Sequence, residues 1–251
     1  MTDTEHDPGS YDIEFFWDPV CPFAWVTSRW IRKVQDQRHY SVNWRFISLR
    51  LLNSHIDYDA HFPPEYEQGH TAGLRMLRVA AAIRRDRGVD AMGPLYDAFG
   101  SSVFDVDRRP DGDPGAQPRS WLGTMEHLQS VLAPLGHDLG YAAAADDDSL
   151  TSMVQTDTDD ALERTGRDVG TPIIAFHPPD GPAFFGPVIS RVPNDEDSLM
   201  LWDSVITLAS FPGFAEMKRS LREQPQLRAF GLEPGDAGIQ EDWKAGSRRW
   251  D

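Results

Sequence analysis

Cysteine is almost missing from this chain, with a single one, Cys21, in 251 residues. One thiol excludes an internal disulfide and any metal site built from several cysteines. Lysine is scarce (Lys33, Lys218 and Lys244), and with 40 acidic against 24 basic residues the net charge is -16. A field of that sign repels phosphate backbones, so a nucleic-acid partner is not expected. No apolar run approaches the roughly 18 residues of a membrane helix. Residues 1–10 are polar and acidic, without a basic start or an apolar stretch. A secretory signal is therefore not expected, and a cytoplasmic location is. Glycine-rich phosphate loops, G-x-S-x-G and H-E-x-x-H are all lacking. His55, His61 and His70 share one polar stretch without ligand spacing. No metal is expected.

What is present is the composition of a globular protein, 40% hydrophobic and 11% aromatic. Tyr11 to Trp17 alternates and then turns wholly apolar, the pattern of a strand entering a core. Asp18-Pro19 breaks it. Val26, Trp30, Ile31 and Val34 follow at helical spacing, with Pro22 in the first turn, where a missing N–H costs nothing. Val42, Trp44 and Phe46 alternate in a second strand, which completes a β-α-β unit with parallel strands. From about residue 59 to 167 the period is helical, with stretches near Leu74–Ile83, Met92–Phe99, Trp121–Leu132 and Asp157–Thr165. Asp107 to Pro118 is dense in Pro, Gly and Asp and reads as a surface loop, with a mobile lid as the alternative. Asp146-Asp147-Asp148 reads as an acidic helix start. Strands return at Pro172–Phe176 and Ala183–Phe185, then a helix at Asp195–Ser210. The last thirty or so residues show no period and read as a surface tail anchored by Trp243 or Trp250.

Cys21 stands between a strand end and a helix start. A lone cysteine is usually packing. At a helix N-terminus, however, unpaired N–H groups and the helix dipole favour the thiolate over a thiol that is otherwise mostly protonated at neutral pH. Asp18 reads first as the cap of this helix, and otherwise as a group that positions the thiol. Gly170-Thr171-Pro172 precedes the third strand. Pro172 there is compatible with a trans bond opening an edge strand or with a cis bond, which would turn the Thr171 backbone groups toward a ligand.

Cys21-Pro22-Phe23-Ala24 after a strand, with Val169-Gly170-Thr171-Pro172 before the third, resembles the DsbA-like branch of the thioredoxin superfamily. Further motifs are Phe16-Trp17-Asp18-Pro19-Val20, Ser28-Arg29-Trp30, Phe184 to Arg191 and Ala209 to Phe214. Together they resemble the actinobacterial mycothiol-dependent nitroreductase family, from about residue 11 to 222. The resemblance implies an α/β thioredoxin-like fold with an inserted helical domain, often dimeric, and mycothiol as thiol cosubstrate. It implies Cys21 as nucleophile and Pro172 as cis-proline, with Pro22, Phe23, Trp25 and Thr171 around the bound thiol. Trp17, Asp18 and Asn53 would belong to the substrate pocket. Ala24 stands where well-known members carry a second cysteine, which excludes a two-cysteine relay. A mixed disulfide with mycothiol, cleaved by a second mycothiol, remains open.

Kappa-class glutathione transferases and chromene-carboxylate isomerases are more distantly similar. They place a serine at the position of Cys21 that hydrogen-bonds a bound thiolate. They also hold glutathione with a Ser-Asp pair after Phe-Gly, where this chain has Pro187-Val188. Three functions follow as expectations: a mycothiol-linked thiol–disulfide oxidoreductase, a mycothiol transferase or isomerase, and a non-catalytic thiol-binding module. The expected units are a thioredoxin-like domain (11–58 and 168–222), a helical insertion (59–167) and a tail (223–251). A small organic second substrate and a homodimer complete the expectation.

Overall fold

The computed structural model describes residues 11–62, 64–107, 120–219, 221–232 and 240–242. Strand β1 (Ile13–Trp17) is buried along its whole length, which explains why its sequence abandons alternation. It pairs in parallel with β2 (Val42–Phe46) and antiparallel with β3 (Ile173–Phe176), which pairs antiparallel with β4 (Ala183–Phe185). The sheet order is β2-β1-β3-β4. Helix α1 (Pro22–Gln35) makes the β1-to-β2 crossover. It packs beside α8 (Asp195–Ser210) through Trp30 and Trp202, whose ring centroids lie 5.7 Å apart. The Trp30 indole N–H donates to the Ser198 carbonyl at 3.1 Å.

Between β2 and β3 run the short α2 (Leu49–Leu52) and α3 (Tyr58–His61), then α4 (Pro64–Arg87), α5 (Met92–Phe104), α6 (Met125–Leu132) and α7 (Thr151–Thr165). One hydrophobic core extends from Ile13, Phe15 and Trp17 of β1, through Trp25 and Trp30 of α1, to Leu77 and Ile83 of α4 and Tyr96 and Phe99 of α5. The opposite sheet face is smaller: Phe16, Ile173 and Ala175 pack on Ala161 and Leu162 of α7. This order of strands and helices is a thioredoxin-like fold of the DsbA-like type with a helical insert.

A buried ion network ties α7 to the sheet. Asp157 bonds Arg45 at 2.9 Å, pairs with Arg84, and accepts the Phe46 backbone N–H at 3.0 Å. Glu14 on β1 pairs with Arg45 at 3.2 Å and with Arg164 at 2.8 Å. Each buried charge has partners of opposite sign, the condition under which such groups are tolerated inside a protein.

Two local expectations change. The acidic run at 146–148 does not open a helix directly. Asp147 caps a 3₁₀ turn, Asp148–Leu150, which leads into α7 six residues before its expected start. The tail also holds structure: β5 (Leu221–Glu223) pairs antiparallel with β6 (Gln240–Asp242), and Phe230 packs edge-on against Phe104. Three-residue strands are too short to leave a period in the sequence. Trp243, Trp250 and residues 108–118 of the Pro/Gly-rich loop lie outside the described residues.

Candidate active site

The end of β1 and the start of α1 are fixed by a short set of backbone bonds. The Trp17 carbonyl accepts the Ile47 N–H at 3.1 Å, and the Asp18 carbonyl accepts the Cys21 N–H at 3.2 Å. The Asp18 side chain is fully buried and accepts the N–H of Val20 at 2.9 Å on one oxygen and that of Leu49 at 2.8 Å on the other. It braces the turn before the cysteine against the start of α2. Burial pushes its carboxyl up to about 7, and the two backbone donors pull the other way. Helix α4 passes close above this turn. A Cβ at Gly73 would lie 2.8 Å from the Asp18 carboxylate and 2.9 Å from Val20, so this helix position accommodates only glycine without a shift.

The cap of α1 is therefore not Asp18. Cys21 itself occupies the N-cap with extended backbone, and its sulfur accepts the Ala24 N–H at 3.4 Å. Asp18 is drawn away because its two oxygens already serve donors on the turn and on α2. Pro22 fills the first helical position. From the other side the Thr171 carbonyl lies 3.5 Å from the Cys21 sulfur, in position to accept the S–H. The Thr171–Pro172 peptide bond is cis. Thr171 is anchored by its hydroxyl, which donates to the Phe16 carbonyl at 3.4 Å, and Pro172 by its carbonyl, which accepts the Gly186 N–H at 2.8 Å. A thiol 6% exposed is thus held between an amide donor and a carbonyl acceptor contributed by segments 150 residues apart.

The sequence-named residues fall into two groups. Cys21, Pro22, Thr171 and Pro172 converge on the sulfur, with Pro22 and Phe23 half-buried beside it. Trp17 and Trp25 do not present an open aromatic wall. They are 0% and 1% exposed and form the floor beneath the site. The Trp25 indole N–H reaches Asp105 at 3.3 Å, and its ring lies against Gly100, where a Cβ would enter it. Asn53 is buried at the end of α2 and donates to the Leu49 carbonyl at 2.8 Å. Beyond it, the Tyr58 hydroxyl and the His70 ring nitrogen are 2.9 Å apart.

Sequence reasoning missed Tyr96, Gly73 and Gly100, which lie on α4 and α5 and carry no local motif. Tyr96 is fully buried, stacked on Trp17 with centroids 4.3 Å apart and edge-on to Trp25 at 5.8 Å. A second possibility, a serine–histidine pair, is ruled out by its hydrogen bonds. The His127 Nδ1 accepts the Gly123 N–H at 3.1 Å, so Nε2 carries the hydrogen facing Ser102 at 2.9 Å. A ring so committed does not take the Ser102 proton. Burial also pushes its imidazole down to about 4. Among the described residues no group of three or more His, Cys, Asp or Glu side chains is placed to hold a metal. No helix among them is long and apolar enough to cross a membrane.

The order of strands and helices defines a thioredoxin-like protein of the DsbA-like type, with Cys21 at the start of its first helix. Within that class the chain belongs to the Rv2466c-like family, described as mycothiol-dependent nitroreductase Rv2466c, whose profile matches residues 20–219. The family is one of thiol-dependent enzymes. A relative from Mycobacterium tuberculosis, the uncharacterized protein Rv2286c, is 30% identical over 208 residues, covering 82% of this chain and 81% of the relative. Solved structures with a similar outline include the cytosolic disulfide reductase DsbM from Pseudomonas aeruginosa, with a TM-score of 0.46, 15% identity, and coverage of 78% of this chain and 99% of that one. A putative protein disulfide isomerase from Nitrosomonas europaea has a TM-score of 0.48, 10% identity and coverage of 78% and 97%. A 2-hydroxychromene-2-carboxylate isomerase has a TM-score of 0.46, 15% identity and coverage of 78% and 95%.

Proposed function

We propose that this protein is a mycothiol-linked thiol–disulfide oxidoreductase that works through Cys21 alone. The observation that carries the reading is the placement of the Cys21 sulfur: it accepts the Ala24 N–H and faces the Thr171 carbonyl. The thiolate attacks the mycothiol sulfur of a mixed disulfide between mycothiol and a substrate thiol. A bond forms between Cys21 and that sulfur, the original disulfide breaks, and the second half leaves as a thiolate. A reduced thiol then attacks the mixed disulfide, a symmetric disulfide departs, and Cys21 is released as a thiolate. Cys21 is the single cysteine of the sequence, with Ala24 three residues on, so no second thiol of the same chain enters this cycle. Donation of electrons to a small aromatic or electrophilic compound is the proposed use of the thiol pool. A cytoplasmic location suits a cysteine that must return to the reduced state. Homodimerisation belongs to the same proposal and is read by sedimentation.

The second reading rests on the same S–H. A thiol that donates to a carbonyl can instead donate to a bound thiolate and activate it, as in a transferase or isomerase. Intact mass after incubation with oxidised mycothiol separates the two. The redox reading expects a stable adduct on the wild type and none on Cys21→Ser. No adduct, with binding of reduced mycothiol that survives Cys21→Ser, would contradict it and favour the transferase.

A further inference from the structure

Residues 223–230 lie beyond the stretch that the family profile matches, and they are nevertheless built into the main core. Pro225, Gln226 and Leu227 are buried, and Leu227 belongs to the same hydrophobic cluster as Trp25 and Phe104. The segment is fixed at two places. At one end the Gln226 N–H donates to the Ser190 carbonyl at 2.7 Å, and the Ser190 hydroxyl donates to Glu223. At the other end a 3₁₀ turn, Arg228–Phe230, sets Phe230 edge-on to Phe104, and Arg228 pairs with Asp107.

Both anchors belong to walls that rest on the helix of the cysteine. Helix α5 runs antiparallel to α1. The Gly93 carbonyl near the start of α5 accepts from Arg32 at 2.8 Å, and Asp105 just past its end accepts from the Trp25 indole at 3.3 Å. Phe104 stacks on Trp25, with centroids 6.5 Å apart, and the Trp25 backbone N–H bonds the Cys21 carbonyl at 3.0 Å. The end of α5 therefore stands one helical turn from Cys21. The other wall is the chain after β4. It starts at Gly186, whose N–H bonds the Pro172 carbonyl at 2.8 Å, and it runs on to Ser190. On the way the Pro187 carbonyl accepts the Thr27 hydroxyl of α1 at 2.9 Å. Residues 223–230 thus join the end of the helical insert to the chain that leads away from the cis-proline, and both rest on the first two turns of α1.

We propose that this segment is a specificity-determining strap, which fixes the spacing of the two walls and restricts Cys21 to disulfides of small thiols. A folded protein carrying a mixed disulfide has to spread the walls, and a small thiol does not. The strap is held mainly by apolar burial. The Arg228–Asp107 and Arg191–Glu223 pairs lie at the surface and add little, whereas Pro225, Leu227 and Phe230 take apolar surface out of water. With the strap seated, Cys21 is 6% exposed. Its release exposes only this local packing and does not require global unfolding.

The inference rests on Cys21 being a reactive thiol, and its test separates the two failures. Cys21 is the single thiol, so every alkylation event reports on it. In the full-length protein, rates are measured with N-ethylmaleimide and with a polyethylene-glycol maleimide, the same reactive group on a bulky chain. Wild type is compared with Leu227→Ala and with Phe230→Ala, the half-buried position that serves if Leu227→Ala does not fold. Wild type is expected to react with the small reagent and much more slowly with the polymer. Truncation of the buried leucine is expected to raise the open population, and with it the polymer rate, by at least about tenfold. Phe230→Ala moves the polymer rate in the same direction, and the N-ethylmaleimide rate stays unchanged in both. Polymer rates equal to wild type, or a parallel rise with both reagents, would overturn the strap and leave the reading of Cys21 standing. No reaction of wild-type Cys21 with N-ethylmaleimide would overturn both.

Discussion

Asp18 and His127 titrate across the same pH interval and act on stability in opposite directions. Burial raises the Asp18 carboxyl from 3.8 to about 7. Between those values the folded protein keeps a proton that the unfolded chain has released, so acidification from pH 7 to 4 favours the fold. At 1.36 kcal/mol per pKa unit this is worth about 4 kcal/mol. Burial lowers His127 from 6.5 to about 4. Below pH 6.5 the unfolded chain gains a proton that the folded protein does not take until about pH 4, so acidification disfavours the fold by about 3 kcal/mol. The two nearly cancel, and their joint contribution to wild-type stability changes by no more than about 1 kcal/mol over this range. Asp18→Asn removes the first effect and exposes the second. The variant starts lower, because an amide nitrogen must face one of the N–H donors of Val20 and Leu49. Its further loss on acidification from pH 6.5 to 4 is expected to reach about 3 kcal/mol. Urea denaturation at half-unit steps of pH, for both proteins, reads this directly. Parallel curves for variant and wild type would refute the reasoning.

Gly100→Ala gains about 1 kcal/mol of helix propensity but drives a methyl into the Trp25 ring. Overpacking is expected to win by about 1–3 kcal/mol, and a Trp25→Ala background, which removes the ring in the way, should abolish the loss in a double-mutant cycle. Asp157→Asn removes the buried carboxylate that Arg84 pairs with and leaves Arg45 to Glu14 and Asp160. A loss of about 3–5 kcal/mol is expected from chemical denaturation.

The strands and helices nearest the cysteine were legible because each carries its own period. β1 announces itself by Ile13, Phe15 and Trp17 and by a fully apolar end, α1 by Pro22 and the spacing of Val26, Trp30 and Val34, and β3 by a proline at its start. Cys21, Thr171 and Pro172 were likewise legible, as motifs on both sides of the helical insert. The role of Asp18 was misread because an acid before a helix looks like a cap, and only the tertiary approach of Leu49 shows where its oxygens go. Sequence alone offers Trp17 to the substrate pocket and Trp25 to the bound thiol because aromatic residues near a cysteine look the same whether they face solvent or the core. The difference is made by α5, whose Tyr96 and Gly100 cover them. Tyr96 itself reads as one more core position on an apolar helix.

The central claim is that one cysteine completes the exchange cycle. The most direct measurement starts from protein carrying one mycothiol on Cys21, adds excess reduced mycothiol, and counts the symmetric disulfide formed against the adduct lost. One disulfide per adduct, with the protein returned to its reduced mass and able to repeat the cycle, is the result the account predicts. An adduct that persists, or that falls away without forming the symmetric disulfide, would contradict it.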